Sequence, residues 1–149
     1  RRRLKVVMTG GVFDLIHMGH MATLGGARKL GDMLVVVVAR DISVRRTKGR
    51  SPLNDEMSRL RIVRNLKPVD AAILGDRHDM FKVTQRIRPD VIALGYDQKH
   101  DEAKIAEELR GRGIPVRVKR LMIRVPGAKT SNMLMQIGSA SCPRNRPEK

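Results

Sequence analysis

The sequence has few of the residues that cross-link a chain or stack on flat ligands. Cys142 is the single cysteine among 149 residues, so no disulfide can form within the chain, and this usage is typical of a reducing compartment. Aromatic residues make up 2% of the chain, and tryptophan is absent. The core must therefore be packed by aliphatic and methionine side chains. A platform of stacking aromatic rings, as in many single-strand-binding proteins, is not available.

The sequence also lacks a long apolar run and a set of metal ligands. Its longest apolar run, residues 33–39, has the length of a buried strand rather than of a membrane-spanning helix. Two histidines at positions i and i+3, without a third ligand nearby, are a weak zinc signal. We expect a cytoplasmic protein without a membrane segment and without a metal held by side chains alone. Residues 1–138 should form one domain, and residues 139–149 a polar, disordered tail.

Positive charge is in large excess. Lysine and arginine number 31 against 15 aspartates and glutamates, which gives a net charge of +16. Such a chain can attract nucleic acid or an acidic membrane, but no recognition helix or aromatic platform accompanies the charge. The same field attracts a nucleoside triphosphate and a phosphorylated second substrate. We therefore expect nucleotides rather than nucleic acid as partners, with a non-catalytic nucleic-acid-binding protein as the remote alternative.

Apolar runs alternate along the chain with segments of helical periodicity. This alternation predicts an α/β fold in which parallel strands, buried on both faces, are connected by helices. Residues 40–53 are basic and contain glycine and proline, so we expect a loop there. Asn54 is the expected cap of the helix that follows. The expected strands are residues 4–8, 32–39, 69–75, 89–95 and 114–121, the last of them at an edge of the sheet.

The turn between the first strand and the first helix contains the most informative stretch, GGVFDLIHMGH, residues 10–20. It places His17 and His20 in the first turn of a helix, where residues at this spacing share a face. Free backbone N–H groups and the helix dipole favour a bound phosphate at this end. Gly11 and Gly19 let a ligand approach the backbone closely. The turn is therefore predicted to bind the phosphates of a nucleotide.

Other residues supply candidate ligands at the same edge of the sheet. Lys48 lies in the basic segment after the second strand and can reach a triphosphate as a mobile charge. Asp97 follows the fourth strand and can bond a ribose or an adenine amino group, hold magnesium through water, or only cap a helix. Arg59 can be an ordinary surface charge or turn toward a phosphate. Thr130 or Ser131 can cap a short final helix.

The stretch that contains the two histidines resembles the G-x-F-D-x-x-H-x-G-H motif of the cytidylyltransferase-like nucleotidyltransferases. This resemblance implies a single Rossmann-like, three-layer α/β domain with a five-stranded parallel sheet. Further strings within residues 38–50, 66–75 and 94–98 resemble most closely those of archaeal FAD synthases. The fixed positions of the motif are all present: Gly11, Phe13, Asp14, His17, Gly19 and His20.

That resemblance implies an enzyme that transfers AMP from ATP to FMN, with Mg²⁺ bound through the triphosphate, in a homodimer. Catalysis is then expected from His17, His20 and Lys48, and Asp14 is expected to position the turn rather than to act as an acid or base. Arg59 and Lys129 are further candidate phosphate contacts. Nucleotide binding is expected of Gly11, Val12, Phe13, Asp14, His17, Met18, Gly19, His20, Asp97, Thr130 and Ser131.

The same stretches also resemble two other kinds of nucleotidyltransferase, which leaves the acceptor open. These are the glycerol-3-phosphate cytidylyltransferases and the nucleotidyltransferase half of the heptose-phosphate enzymes. Val12 and Met18 stand where FAD synthases often have Thr and Pro, and they leave the choice between ATP and CTP open. The basic residue often found after the Ser/Thr pair of the C-terminal turn is absent. Lys129, before that pair, is the candidate replacement.

Overall fold

The structure, a computed structural model, describes residues 3–139. Strands and helices alternate along most of this range. The elements are, in chain order, β1 (Val6–Gly11), α1 (Met18–Arg28), β2 (Met33–Val38), α2 (Asp41–Lys48), α3 (Glu56–Arg64), β3 (Ala71–Leu74), α4 (Lys82–Ile87), β4 (Val91–Leu94), α5 (Glu102–Gly111), β5 (Arg117–Arg120) and α6 (Thr130–Ser139).

The five strands form one parallel sheet in the order β3-β2-β1-β4-β5. The chain builds the sheet outward from β1 to β3 and then continues on the other side of β1 with β4. This reversal leaves a crevice at the carboxyl ends of β1 and β4, the place where ligands bind in open α/β sheets. The expected Rossmann-like domain with five parallel strands is confirmed, and β5 lies at an edge as predicted.

Aliphatic side chains fill the core on both faces of the sheet. On one face Leu24 of α1 and Val63 of α3, both 0% exposed, pack against β1 and β2. On the other face Ile105 and Leu109 of α5 pack against β4. Of the aromatic residues that the structure describes, Phe13 alone is buried. The core is therefore aliphatic, as the composition predicts.

The expected loop over residues 40–53 is wrong in its first half, because residues 41–48 form helix α2. The Glu56 carboxylate accepts a hydrogen bond from the Asp41 N–H at 2.9 Å and satisfies one of the N–H groups that a helix start leaves unpaired. Gly49 ends the helix in a left-handed conformation with φ 68°. Three basic residues of the segment, Arg45, Arg46 and Lys48, lie in the last turn, where they complement the helix dipole.

Two boundaries also differ from expectation. β1 runs from Val6 through Gly11, because Gly10 and Gly11 pair with β2 and so belong to the strand rather than to the turn. Helix α3 is capped by Asp55, whose carboxylate accepts hydrogen bonds from the N–H groups of two first-turn residues at 2.9 and 2.8 Å. Asn54 is not the cap, since its side-chain amide donates to the Asp14 carbonyl oxygen at 3.0 Å.

No helix within residues 3–139 is long and apolar enough to cross a membrane. The expected tail starts at Ser139, but Ser139 is the last residue of α6. The other tail residues, 140–149, lie outside the described range, and so does Cys142.

Candidate nucleotide-binding site

Two histidines cap helix α1 at the carboxyl end of β1. The His17 Nδ1 atom accepts a hydrogen bond from the Gly19 N–H at 3.1 Å, and the His20 Nδ1 atom accepts one from the His17 N–H at 3.3 Å. This reciprocal arrangement is a capping box built from imidazoles in place of a hydroxyl and a carboxylate. The rings stack with their centroids 3.9 Å apart. The helix backbone therefore sets their orientation before any ligand binds.

Both histidines are neutral at pH 7. Burial lowers the pKa of His20 to about 4, assisted by His17 and Lys48 and opposed by the carboxylate of Asp97. Burial also lowers the pKa of His17, again against the charge of Asp97. Since each Nδ1 atom accepts from a backbone N–H, the single proton of each neutral ring lies on Nε2. The pair thus offers two uncharged N–H donors side by side.

Phe13 supports the histidines from inside the turn. It adopts a left-handed backbone with φ 54°, is 5% exposed, and has its ring centroid 5.3 Å from that of His20. A Cβ atom on Gly11 would lie 3.0 Å from the Phe13 ring, so the glycine leaves the space that this ring needs. The nucleotide contact expected of Phe13 is thus not made by an exposed ring, because the ring belongs to the core.

Asp14 fixes the turn to the segment before α3. Its carboxylate is 5% exposed and accepts hydrogen bonds from the N–H groups of Leu53 and Asn54 at 2.8 and 2.9 Å. A buried carboxylate that is already bonded in this way has no role in proton transfer, which agrees with the positioning role expected from the sequence. Its side chain does not supply the nucleotide contact that the resemblance implies.

Two exposed charged residues, each in a segment that follows a strand next to β1, shift the pKa values of the histidines. Lys48 ends helix α2 after β2, and its charge lowers the pKa of His20. Asp97 follows β4, and its charge raises the pKa of both histidines. Because β2 and β4 both pair with β1 in parallel, their carboxyl ends deliver these side chains to the same crevice. The structure therefore brings together four of the predicted residues.

The loop that carries Asp97 is held by two residues that sequence reasoning did not assign. The Gln98 amide donates to the Gly10 carbonyl oxygen at 2.7 Å and accepts from the Gly95 N–H at 3.1 Å. Arg120, on β5, donates to the carbonyl oxygens of Gly95 and Gln98 at 3.0 and 2.7 Å. Apart from the local bond between Gly95 and Gln98, these contacts join residues far apart along the chain, so no local pattern reveals them. Only the position of Gln98 within the string at residues 94–98 hinted at a role.

The start of helix α6 packs beside the start of α1. A Cβ atom on Gly19 would lie 2.9 Å from the His17 ring and 3.1 Å from the Ala128 carbonyl oxygen, so glycine leaves space for both neighbours. Helix α6 begins at Thr130, shortly after that contact. Two helix N-termini therefore lie next to each other, and each presents the positive end of its helix dipole. Lys129 and Ser131 are exposed at this place.

Arg59 is not a phosphate contact, and that expectation is wrong. Its side chain is 0% exposed, and its guanidinium donates to the Asp41 carboxylate at 2.6 Å and to three backbone carbonyl oxygens. These acceptors hold it in the interior. It could reach a phosphate only by leaving all of them.

The two positions that depart from the FAD synthase pattern lie within the histidine turn, residues 12–20, which leads from β1 into α1 and carries both histidines. Met18 is 66% exposed at the start of α1, next to His17. Val12 is partly exposed, and its carbonyl oxygen accepts a hydrogen bond from Arg59 at 2.6 Å. Neither side chain adds a polar group, so their effect on a ligand is limited to shape and apolar contact.

Comparison with known proteins agrees with this geometry. The cytidylyltransferase-like family matches residues 8–136, a range that contains both histidines, Lys48, Asp97 and the start of α6. The chain belongs to this family.

Relatives and solved structures narrow the comparison. The FAD synthase of Aciduliprofundum boonei is 56% identical over 115 residues, which are 77% of this chain and 76% of that protein. The FAD synthase of Archaeoglobus profundus is 53% identical over 118 residues, 79% of this chain and 74% of that protein. The crystal structure of the lipopolysaccharide core biosynthesis protein from Thermoplasma volcanium has 47% identity and a TM-score of 0.79, covering 83% of this chain and 100% of that one. The pantoate-beta-alanine ligase of Francisella tularensis, at 14% identity and a TM-score of 0.60 over 83% of this chain and 61% of its own, shares the fold alone.

Proposed function

We propose that the chain is an FAD synthase, a nucleotidyltransferase that transfers AMP from ATP to FMN and releases pyrophosphate. The paired neutral histidines at the sheet's switch point support the reaction type, because they present uncharged donors where a nucleotide's phosphates would lie. Identities of 56% and 53% to proteins named FAD synthase support the choice of FMN as acceptor.

The chemical step is an in-line displacement at phosphorus. A phosphate oxygen of FMN attacks the α-phosphorus of ATP, a new P–O–P bond forms, and the bond to pyrophosphate breaks. The attacking phosphate is already ionised at pH 7, so the reaction needs neither a protein nucleophile nor a general base. Catalysis then consists of positioning and charge stabilisation.

The histidines stabilise the charge that builds up during this displacement. The Nε2–H groups of His17 and His20 would donate to oxygens of the α- and β-phosphates. Because both rings are fixed by backbone contacts, these donors need no reorganisation when the charge moves. The removal of one such donor typically costs about 10²–10³-fold in turnover.

The leaving pyrophosphate would be held by Lys48 and by the N-terminus of α6, with Thr130, Ser131 and Lys129 as the local donors. If Mg²⁺ is bound with the triphosphate, it would supply positive charge that offsets part of the charge of the leaving group. Asp97 fits as a ligand to this ion, because Mg²⁺ at such sites uses one or two carboxylates beside phosphate oxygens and water. Among residues 3–139 no group of three histidines, cysteines, aspartates or glutamates could hold a metal on its own. The ion would therefore arrive with the nucleotide.

A matrix of donors and acceptors tests this function. ATP and CTP are each incubated with FMN, glycerol 3-phosphate or heptose 1-phosphate, and the products are identified by mass while pyrophosphate release is measured. We expect FAD from ATP and FMN, and little product in the other five combinations. A CDP-linked product as the main one would replace the proposal by the cytidylyltransferase alternative. Salt-sensitive RNA binding without pyrophosphate release in any combination would favour a non-catalytic nucleic-acid-binding protein.

The proposal includes a homodimer located in the cytoplasm. The resemblance to the family suggests the dimer, and several large apolar side chains on the described surface, such as Met122 at 76% and Met135 at 69% exposed, offer contact area for a second copy. Sedimentation at micromolar concentration, with and without ATP, distinguishes a dimer from a monomer.

A further inference from the structure

Arg59 of helix α3 is the largest fully buried side chain in the described part of the protein. Its Nε donates to the Asn54 carbonyl oxygen at 3.0 Å and its Nη1 to the Val12 carbonyl oxygen at 2.6 Å. Its Nη2 donates to the Ala39 carbonyl oxygen at 2.8 Å and to the Asp41 carboxylate at 2.6 Å. One guanidinium thus joins four points on three separate segments of the chain and satisfies each with a short hydrogen bond.

The four acceptors all belong to segments that build the crevice. Val12 lies at the start of the histidine turn, and Asn54 lies in the segment that Asp14 holds. Ala39 follows β2, and Asp41 is the first residue of α2. The other end of α2 is Lys48. Arg59 is therefore bonded to the turn that presents the imidazoles and also to the helix that presents the lysine.

A gain in stability does not account for this arrangement. Burial of a charge is costly, and a well-packed apolar residue often replaces a buried ion pair without loss of stability. A planar guanidinium instead fixes the directions of several partners at once. Helix α2 needs such fixing, because Val44 is its one buried residue. The remaining bonds at its start, from Arg40 and the Asp41 N–H, run to Glu56 of the helix that also carries Arg59.

We propose that Arg59 is a positioning residue for nucleotidyl transfer, which couples the histidine turn to helix α2 and so holds Lys48 over the phosphates of the bound nucleotide. This inference rests on the proposed function. Arg59 does not touch the substrate. It acts through the Val12 carbonyl on one side and through Asp41 on the other.

The test is a double-mutant cycle between Arg59 and Lys48. In R59K a single ammonium cannot reach four acceptors in four directions, so α2 loosens, and kcat should fall about 10- to 100-fold, the cost of a misplacement of about 1 Å. K48A removes the side chain that Arg59 is proposed to position. If the proposal holds, R59K lowers kcat much less in the K48A background than in the wild-type background, because only its effect through the Val12 carbonyl remains. R64K is the matched control, because Arg64 lies on the same helix, is exposed, and bonds a single carbonyl oxygen, that of Ala72. It should leave kcat unchanged.

A second variant covers the case in which R59K does not fold, which a thermal unfolding curve reveals. D41N keeps the three carbonyl contacts of Arg59 and weakens the contacts of the Asp41 carboxylate, which accepts from Arg59 at 2.6 Å and from the Glu56 N–H at 3.2 Å. It should lower kcat in the wild-type background and have no further effect in the K48A background. Multiplicative effects in the cycle, or a folded R59K or D41N with wild-type kcat, would overturn the proposal.

ATP affinity, measured by calorimetry without an acceptor, separates this inference from the proposed function. The same variants should weaken ATP binding, and once Lys48 is removed D41N should add nothing and R59K should add much less than in the wild-type background. If wild-type protein binds ATP but makes no FAD, the proposed function fails while the affinity cycle still decides the role of Arg59. If FAD is made and the affinities vary independently, the inference fails and the function stands.

Discussion

At the scale of single residues, the two histidines combine an observed structural task and a proposed catalytic task on different ring atoms. Nδ1 of each ring closes the helix cap, and Nε2 is left for the ligand. The motif spacing predicted that both rings share one face of the helix. It did not predict that each ring caps the backbone, because that depends on the extended conformation of His17, with φ −142° and ψ 174°.

The substitution H20N separates these two tasks. The asparagine Oδ1 atom can take the place of Nδ1 and keep the bond to the His17 N–H, but no donor remains at the position of Nε2. We expect a folded protein whose kcat is about 10²–10³-fold lower. H20A, which also loses the cap, should in addition unfold at a lower temperature by the equivalent of about 1 kcal/mol. Steady-state kinetics and thermal melts check both, and an H20N enzyme with normal kcat would remove His20 from the mechanism.

The low pKa of His20, about 4, also links folding to pH. In the unfolded chain this histidine takes up a proton near pH 6.5, whereas in the folded protein it does not until about pH 4. The unfolded state therefore binds more protons in this window, and the free energy of unfolding decreases as the pH falls from 6.5 to 4. Urea unfolding of wild type and H20N over this range should show wild type losing more stability than the variant. Parallel curves for the two proteins would contradict the shifted pKa.

At the scale of elements, the strands and the first helix could be predicted because their signals are local. Runs such as Met33–Val38 are apolar over their whole length, and every strand was found near its expected place. Helix α2 was missed because its start is stabilised by Glu56, which is distant along the chain. The cap of α3 moved from Asn54 to Asp55 because Asn54 bonds to the histidine turn. Local patterns identify such elements but not the partners that decide their ends.

Two glycines near helix α1 provide a matched pair of substitutions. A Cβ atom on Gly25 meets nothing within 4 Å, and Gly25 lies inside the helix, so G25A should stabilise the protein by about 0.5–1 kcal/mol. A Cβ atom on Gly31 would lie 2.6 Å from the Lys5 carbonyl oxygen and 2.7 Å from Val7, so G31A should destabilise it by about 1–3 kcal/mol. Chemical denaturation measures both. Equal effects of the two changes would mean that the contact between Gly31 and β1 is not as close as described.

At the scale of the whole molecule, the topology predicted from the sequence also located the candidate site. Parallel pairing of β4 with β1 was enough to place Asp97 near the histidines, whereas Lys48 reaches them from the far end of helix α2, which the sequence did not predict. The function of Arg59 could not be predicted in the same way. Whether an arginine on a helix faces solvent, phosphate or the interior depends on acceptors contributed by Val12 and Ala39, which only the folded chain brings together.

The net charge of +16 should make substrate capture sensitive to salt. The histidines are neutral, so long-range attraction of ATP comes from the surrounding lysines and arginines and is screened as the ionic strength rises. We expect the KM for ATP to increase as the KCl concentration is raised from about 50 to about 300 mM, a range over which screening of surface charges becomes strong. The kcat should change little. An uncharged osmolyte at matched osmolarity serves as the control. A KM that does not respond to KCl would show that the charge excess has no part in catalysis.

The division between neutral and charged groups has a consequence for turnover. Imidazoles without a net charge interact through their dipoles, so they contribute most when negative charge shifts toward them and comparatively little to the retention of a finished product. In the proposed mechanism, the positive charge that faces the departing pyrophosphate comes from Lys48, at the end of a helix with one buried residue, and from Lys129 before α6. Both lysines are exposed and lie on elements other than the one that fixes the imidazoles, so in this mechanism pyrophosphate can leave without disturbing the two rings.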